Sequence, residues 1–328
     1  VGQKKTKTVK LHSPKKLTKR KVEVAEIEEL PTRRKREVPK RNWRFEQLSR
    51  NVYQVTVPYK ENKEFEWYFL VTSDQHWDNP CSDHKLQLKH LRQAKERDAG
   101  IMSAGDLLCL MQGKYDRRSN KSSLRPEHRT DNYLDDVITT AADFFEPFAH
   151  QFVVLATGNH EDSIRDRYET NMIDRLVGTI NDRTGSHIGS GGFSGWVIFR
   201  FERPDRTSNR IVLHYDHGYG GGGPVTADMI QHQRRSVYLP DAHIVVSGHT
   251  HDQWQRETAR VRLGQNGLIY KDIQTHIKLP SYKDEYKDGY GGWANTRGMP
   301  PKPIGAWWLR FFWDTDQQRM AYEVIRAQ

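Results

Sequence analysis

Five short apolar runs in this chain end in polar clusters built from the same few residue types, and any fold must place those clusters together or scatter them. "FLVTS" ends in Asp74-Gln75-His76, "IMSA" in Gly105-Asp106, and "FVVLAT" in Gly158-Asn159-His160-Glu161. "RIVLHY" runs into Asp216-His217-Gly218, and "HIVVS" into Gly248-His249-Thr250-His251. Short apolar runs bounded by turn residues read as buried strands. Between the first three lie helical patterns. Asp83 can cap a helix through "KLQLKHLRQAKERDA" that stops at Gly100, and "DNYLDDVITTAADFFEPF" repeats apolar pairs every three to four residues. "YETNMIDRLVGTI" is a further amphipathic helix. Strand, helix, strand, helix, strand implies parallel βαβ units.

The later half reads as richer in β structure, with strands in "WVIFRF", "LIYKDIQTH", "AWWLRFF" and "MAYEVI" and one helix around "ADMIQHQRRSV". No internal repeat of fixed period is present. In open α/β sheets ligands gather beyond the carboxyl ends of the strands, which is where each polar cluster would lie. Alternation along extended chain would point Asp74 and His76 together, and likewise His249 and His251. Glycines at 105, 158, 218 and 248 permit sharp turns beside a crowded centre.

Carboxylates and imidazoles suit Mn, Fe or Zn, and the lack of cysteine in these clusters argues against a thiolate structural site. Two divalent ions close together need a bridging carboxylate and mixed O and N ligands. Such a pair lowers the pKa of a shared water and stabilises both oxygens of an in-line displacement. One "GD" or D-x-H alone would mean little; five clusters at strand ends in this order mean much more.

Charge is distributed unevenly. Residues 1–42 hold 15 of the 52 Lys/Arg and 5 of the 42 Asp/Glu, so the net +10 sits there and the remaining 37 basic and 37 acidic residues cancel. The segments "KKTKTVKLHSPKKLTKRK" and "PTRRKREVPKR" cannot offset their ordering entropy by burial, so 1–42 is expected to be a disordered basic arm and 43–328 the folded domain. The arm can concentrate the protein on nucleic acid or another polyanion, or be a solvated extension or address. The insertion 113–130 is also basic, and "YKDEYKDGYGGWANTRGMPPKP" is an aromatic, glycine-rich loop.

With a mean hydropathy of −0.87 and no run of roughly 18 apolar residues, no membrane span is expected. The start of the chain lacks the apolar core of a signal peptide. Two cysteines, Cys81 and Cys109, form no disulfide framework and read as ordinary thiols in a reducing, cytoplasmic setting.

In order, "DQH", "GD", "GNHE", "DHG" and "GHTH" resemble the signature of the calcineurin-like metallophosphoesterase superfamily over residues 74–251. The resemblance implies an α/β four-layer sandwich of two mixed β-sheets flanked by helices. It implies a first metal on Asp74, His76 and His251, a second on Asn159, His217 and His249, and Asp106 bridging them. His160 would be a catalytic residue near the scissile phosphate, with Glu161 orienting it. "LHYDHG" offers both His214 and His217, and the glycine after His217 favours that one. The implied reaction is attack of a metal-bridging hydroxide on phosphorus, with two divalent ions, Mn first and Fe or Zn as alternatives.

Departures narrow the class. Ala156-Thr157 precede GNHE, where phosphoprotein phosphatases of the superfamily carry an arginine, and "LLCLMQG" follows GD. The purple-acid type would need a tyrosine ligand, whereas Gln75 and Leu107 stand nearby. The leading expectation is a phosphodiesterase or nuclease acting on nucleic acid or nucleotide, engaged through the arm and 113–130. A broad phosphomonoesterase or protein phosphatase is the alternative, and a non-catalytic nucleic-acid-binding module that keeps the fold is the third.

Overall fold

A computed structural model describes residues 41–61, 64–111, 124–204, 208–221, 223, 225–286 and 298–328. The arm 1–42 therefore lies outside the described residues except for Arg41 and Asn42, as does most of the insertion 113–130 and the middle of the aromatic loop. Arg41 and Asn42 are fastened to the folded part. The Arg41 guanidinium donates to the His150 carbonyl at 2.6 Å, and the Asn42 amide donates to the Asp98 carboxylate at 2.8 Å.

The βαβ reading corresponds to one six-stranded sheet. Its strands β3 (Glu66–Thr72), β4 (Gly100–Ser103), β5 (Phe152–Ala156) and β6 (Gly189–Gly191) run parallel. Helix α1 (His84–Glu96) connects β3 to β4, and α2 (Tyr133–Phe145) lies between β4 and β5. Helices α3 (Asn159–Tyr168) and α4 (Met172–Thr184) lie between β5 and β6. A hairpin of β12 (Ala306–Asp314) and β13 (Arg319–Ala327) adds antiparallel to β3.

The second sheet has seven strands in the order β1-β2-β7-β8-β9-β11-β10. These are β1 (Arg44–Ser49), β2 (Val52–Pro58), β7 (Ser194–Glu202), β8 (Ser208–Asp216), β9 (Ile244–Ser247), β10 (Trp254–Leu263) and β11 (Ile269–Lys278). It mixes parallel pairs, such as β8 with β9, and antiparallel ones, such as β7 with β8. Helix α5 (Met229–Tyr238) precedes β9.

Alternation along the strands builds two cores on the two faces of the six-stranded sheet. Between the sheets, Trp67, Phe69, Phe199, Phe201 and Phe311 interlock, with ring centroids 4.9 Å apart for Phe69–Phe199 and 4.6 Å for Phe199–Phe311. On the other face Leu70, Ile101, Phe152 and Leu155 pack against α1, α2 and α4. Each fully buried large side chain there contributes about 1.5–3 kcal/mol. A smaller cluster of Leu239, Ala242 and Val245, with Trp196 against it, lies beside α5. The fold is therefore two mixed sheets flanked by helices, as expected.

Local chemistry sets the helix limits. The Asp83 carboxylate accepts from the Leu86 amide at 2.9 Å, so α1 starts where its cap lies. It ends at Glu96, with Arg97 as its C-cap, earlier than the expected Gly100, which instead opens β4. A Cβ on Gly100 would meet the Phe69 ring at 2.6 Å, so close sheet packing explains the glycine. The expected helix over "YETNMIDRLVGTI" is divided. Tyr168 closes α3, and Asn171 caps a new helix by accepting from the amides of Ile173 and Asp174.

Parallel register brings the carboxyl ends into line. Thr72 pairs with Ser103, Ser103 with Leu155, and Asp216 with Ser247. The five polar clusters follow these strand ends.

Candidate metal centre

Asp74, His76, Asp106, His249 and His251 have φ of 50°, 45°, 50°, 74° and 57°. This left-handed backbone corrects the expectation of extended alternation: the ligand side chains are aimed by tight turns. Such conformations cost of order 1–3 kcal/mol each away from glycine and concentrate at functional sites. The turns hold one another. The Asp74 amide donates to the Gly105 carbonyl and the His76 amide to the Asp106 carbonyl, both at 3.0 Å. Gly248 has no room for a side chain, since a Cβ would collide with Ser73 Oγ and Asp74 Oδ2. A Cβ on Gly158 would collide with the Asp106 carboxylate.

These turns gather Asp74, His76 and His251. Asp74 Oδ2 accepts from Ser73 Oγ at 2.6 Å and from the His249 amide at 2.8 Å. Asp74 Oδ1, buried and without a hydrogen bond, faces His251 Nε2 at 3.2 Å and His76 Nε2 at 4.0 Å. Burial alone would raise the Asp74 carboxyl, but the neighbouring His251 imidazole outweighs it and holds the group below the usual range.

A second cluster brings together Asn159, His217 and His249 with Asp106. His217 Nδ1 donates to the Ala104 carbonyl at 2.9 Å, which leaves the Nε2 lone pair pointing inward. That nitrogen lies 3.2 Å from Asp106 Oδ2 and 3.0 Å from Asn159 Oδ1. His249 Nδ1 lies 2.7 Å from the same Asn159 oxygen. One turn thus sends His251 to the first cluster and His249 to the second. His214 goes elsewhere: it points to the Trp196 ring, centroids 4.7 Å apart, and is outside both clusters.

Asp106 sits between groups from both sides. Its Oδ1 accepts from the His160 amide at 2.9 Å, while Oδ2 faces His217 and stands 3.7 Å from His160 Nε2. Burial raises its carboxyl, but His217 and His160 together hold it well below the ordinary value. Burial would also depress His160; Asp106, and after it the Cys109 sulfur and then the Cys109 carbonyl, lift it instead, to about 10.

His160 is oriented by the Cys109 carbonyl, 2.5 Å from its Nδ1, rather than by Glu161. Glu161 accepts from the amides of Gly158 at 2.9 Å, Leu108 at 2.8 Å and Asp106 at 3.2 Å, tying the GD turn to the GNHE turn. Burial and the Asp106 charge push Glu161 up to about 7 against the pull of those donors.

Sequence reasoning missed three contributors. Cys109, read as an ordinary thiol, brings its sulfur within 4.8 Å of ring nitrogens of His76 and His160. Asp78, buried, accepts from the Cys109 and Leu110 amides and from the Tyr133 hydroxyl, which fixes the turn after GD. Lys278, buried at the end of β11, donates to Asp228 at 2.7 Å and to Ser247 at 3.2 Å, just before the Gly248 turn. A lysine ending the buried second half of β11 was a legible signal; the other two contacts were not.

No protein-family model matches the sequence, and no curated protein matches it. Among solved structures, the chain is similar to a conserved protein of Streptococcus pneumoniae described as a predicted phosphoesterase. The identity is 11%, the TM-score 0.30, and the match covers 80% of this chain and 98% of that one. It is similar to the calcineurin-like phosphoesterase YfkN of Bacillus subtilis at 12% identity and TM-score 0.32, covering 80% and 91%. A third likeness is to GAP50, the anchor in the inner membrane complex of Plasmodium, at 9% identity and TM-score 0.35, covering 80% and 89%. These are distant likenesses, and the functional reading rests on the ligand clusters of this chain.

Proposed function

We propose that this chain is a binuclear, metal-dependent phosphoesterase of the calcineurin-like metallophosphoesterase superfamily, acting on phosphodiesters of nucleic acids or nucleotides. The observation that carries this reading is the convergence of buried imidazole nitrogens with carboxylate and amide oxygens in two neighbouring clusters. His76 Nε2 and His251 Nε2 face each other at 3.2 Å beside the bare Asp74 Oδ1, and His217 Nε2 faces Asn159 Oδ1 at 3.0 Å. Such a donor set fits cations better than it fits a hydrogen-bonded core.

Asp74, His76 and His251 would hold one ion, Asn159, His217 and His249 the other, and Asp106 would reach both. The mixture of nitrogen and oxygen donors suits Mn, with Fe and Zn as alternatives. Divalent ions there supply Lewis acidity and an activated water at neutral pH. The chain's own residues do the rest. His160, held by the Cys109 carbonyl, keeps Nε2 toward the centre, where its proton can pass to the leaving oxygen. Glu161 and Asp78 keep the turns carrying Asp106, Asn159 and His160 in register.

The nucleic-acid reading is supported by the basic arm and by the insertion 113–130. No helix among the described residues is long and apolar enough to cross a membrane. The free thiols Cys81 and Cys109 fit the reducing cytoplasm. The test is hydrolysis by the full chain reconstituted with Mn, offered bis-p-nitrophenyl phosphate, single- and double-stranded DNA, RNA, cyclic nucleotides and p-nitrophenyl phosphate. Metal-dependent cleavage of diesters is expected, and cleavage of the monoester alone would overturn the diesterase reading.

A further inference from the structure

Helix α5 turns its polar residues inward. Where α4 buries Met172, Ile173, Leu176, Val177 and Ile180, α5 buries His232 and Arg235 and exposes Ile230, Val237 and Tyr238. Burying charged and polar groups in place of apolar ones is a poor route to core stability. Each buried polar group on this face instead meets a partner on the seven-stranded sheet. Asp228, the N-cap of α5, takes the Lys278 ammonium from β11 at 2.7 Å. His232 Nδ1 lies 3.1 Å from His276 Nδ1 of β11, and Arg235 Nη2 donates to Asp216 Oδ1, at the end of β8, at 2.6 Å. Arg235 Nη1 is buried with no hydrogen bond, so Asp216 is what keeps this cation inside.

Two of these contacts end at the turns that carry His217 and His249. Asp216 Oδ1 accepts from Arg235 and also from the Gly218 amide at 2.8 Å, so one carboxylate ties the backbone across His217. Lys278 donates to Ser247 Oγ at 3.2 Å, two residues before His249. Asp216 and Ser247 are register partners in β8 and β9. A Cβ on Gly218 would stand 3.2 Å from both the Gly248 carbonyl oxygen and His249 Cβ, so the two turns lie against each other. The first cluster is anchored elsewhere: the Asp74 carbonyl accepts from the Tyr282 amide at 3.1 Å and from Ser281 Oγ at 2.7 Å.

We propose that α5 is the brace of the second metal position, with Arg235 as a positioning residue that holds His217 on that ion through Asp216, and Lys278 supporting the His249 turn through Ser247. This rests on the binuclear reading above. A bond behind a ligand sets the orientation of that ligand, and its loss lowers metal affinity without removing a donor atom.

The experiment is calorimetric titration of Mn into the full chain, with Mn paramagnetic resonance recorded on the same samples. Arg235→Met is expected to weaken the second ion by about tenfold or more while the first moves much less, which leaves the uncoupled signal of a single Mn. At the Mn concentration where Arg235→Met holds one ion, adding His249→Ala should cost no further metal, whereas adding His251→Ala should empty the chain. Arg235→Met and Asp216→Asn should be non-additive, since one bond carries both effects. Unchanged affinity for both ions overturns the assignment. Equal weakening of both ions, the pattern of a general loss of structure, overturns it as well. Should Arg235→Met fail to fold, Asp216→Asn decides by the same readings, because its side-chain oxygen still accepts from Gly218 while the charge that holds Arg235 is gone. A parent that binds two ions yet hydrolyses no ester defeats the enzymatic reading and leaves the brace standing. A parent with no ion at His217 and His249 defeats both.

Discussion

His76 and His251, 175 residues apart in the chain, turn their Nε2 atoms toward each other at 3.2 Å, with Asp74 Oδ1 3.2 Å from the second of them. His249, two residues before His251, turns the other way to Asn159. Removing either histidine should therefore empty a different position. His251→Ala and His249→Ala are each expected to retain about half the parent's bound metal, and Asp106→Asn to lower both occupancies. Elemental analysis after dialysis against a fixed free Mn concentration measures this.

Glu161 should matter for the framework more than for proton transfer, because its oxygens accept three backbone amides and no ring nitrogen. Glu161→Gln turns an amide group toward those donors and leaves at least one unsatisfied. A loss of about 1–3 kcal/mol in urea unfolding is expected, along with weaker metal retention. Unchanged stability with lost turnover would give Glu161 a direct catalytic part instead.

Gly248 leaves no space beside Ser73 and Asp74. Gly248→Ala should cost about 1–3 kcal/mol through overpacking and should push Asp74 off the first cluster. Thermal unfolding with and without Mn reads both effects, and the stabilisation by Mn should shrink relative to the parent. Gly178, on α4, has open space where a Cβ would stand, so Gly178→Ala is the control and should be neutral or slightly stabilising.

The sequence-level reading found β3, β4, β5, β8 and β9, the helices α1, α2 and α4 and every strand-end cluster because those segments are apolar, periodic and punctuated by glycine. It passed over β2, although Val52–Pro58 has a buried stripe and pairs with β7. It missed β1 and β10 because both are edge strands with mostly exposed residues, so "RFEQLS" and "WQRETARVRL" carry no buried stripe. It missed β6 because three residues of "GSG" hold no pattern. The helix that starts at Asn159 was hidden because a metal-ligand motif doubles as its first turn. The residue types at the centre were legible, but their aim was not: alternation described strands, whereas the left-handed turns at Asp74, His76, His249 and His251 obey local sterics. Cys109 joins the site only through tertiary contact, which no local pattern records.

His90 gives the fold an acid-sensitive point away from the metal ligands. Fully buried on α1 and 2.7 Å from the Tyr282 hydroxyl, it is depressed to about 4, by burial first and then by Lys89. An imidazole whose folded pKa lies below its unfolded value of about 6.5 is protonated more readily in the unfolded chain. Its contribution is complete above pH 6.5 and is lost as pH falls from there toward 4. The unfolding free energy of the parent should thus decline more steeply over that window than that of His90→Gln, by about 2–3 kcal/mol in total. Parallel pH profiles of the two proteins would show otherwise if His90 titrated normally.

The most direct test of the central claim is anomalous diffraction from crystals of the Mn-loaded protein, recorded on both sides of the Mn edge. Two Mn peaks are predicted in each chain, one ligated by Asp74, His76 and His251 and one by Asn159, His217 and His249, with Asp106 reaching both. A single peak, or none at these residues under saturating Mn, would contradict the binuclear centre.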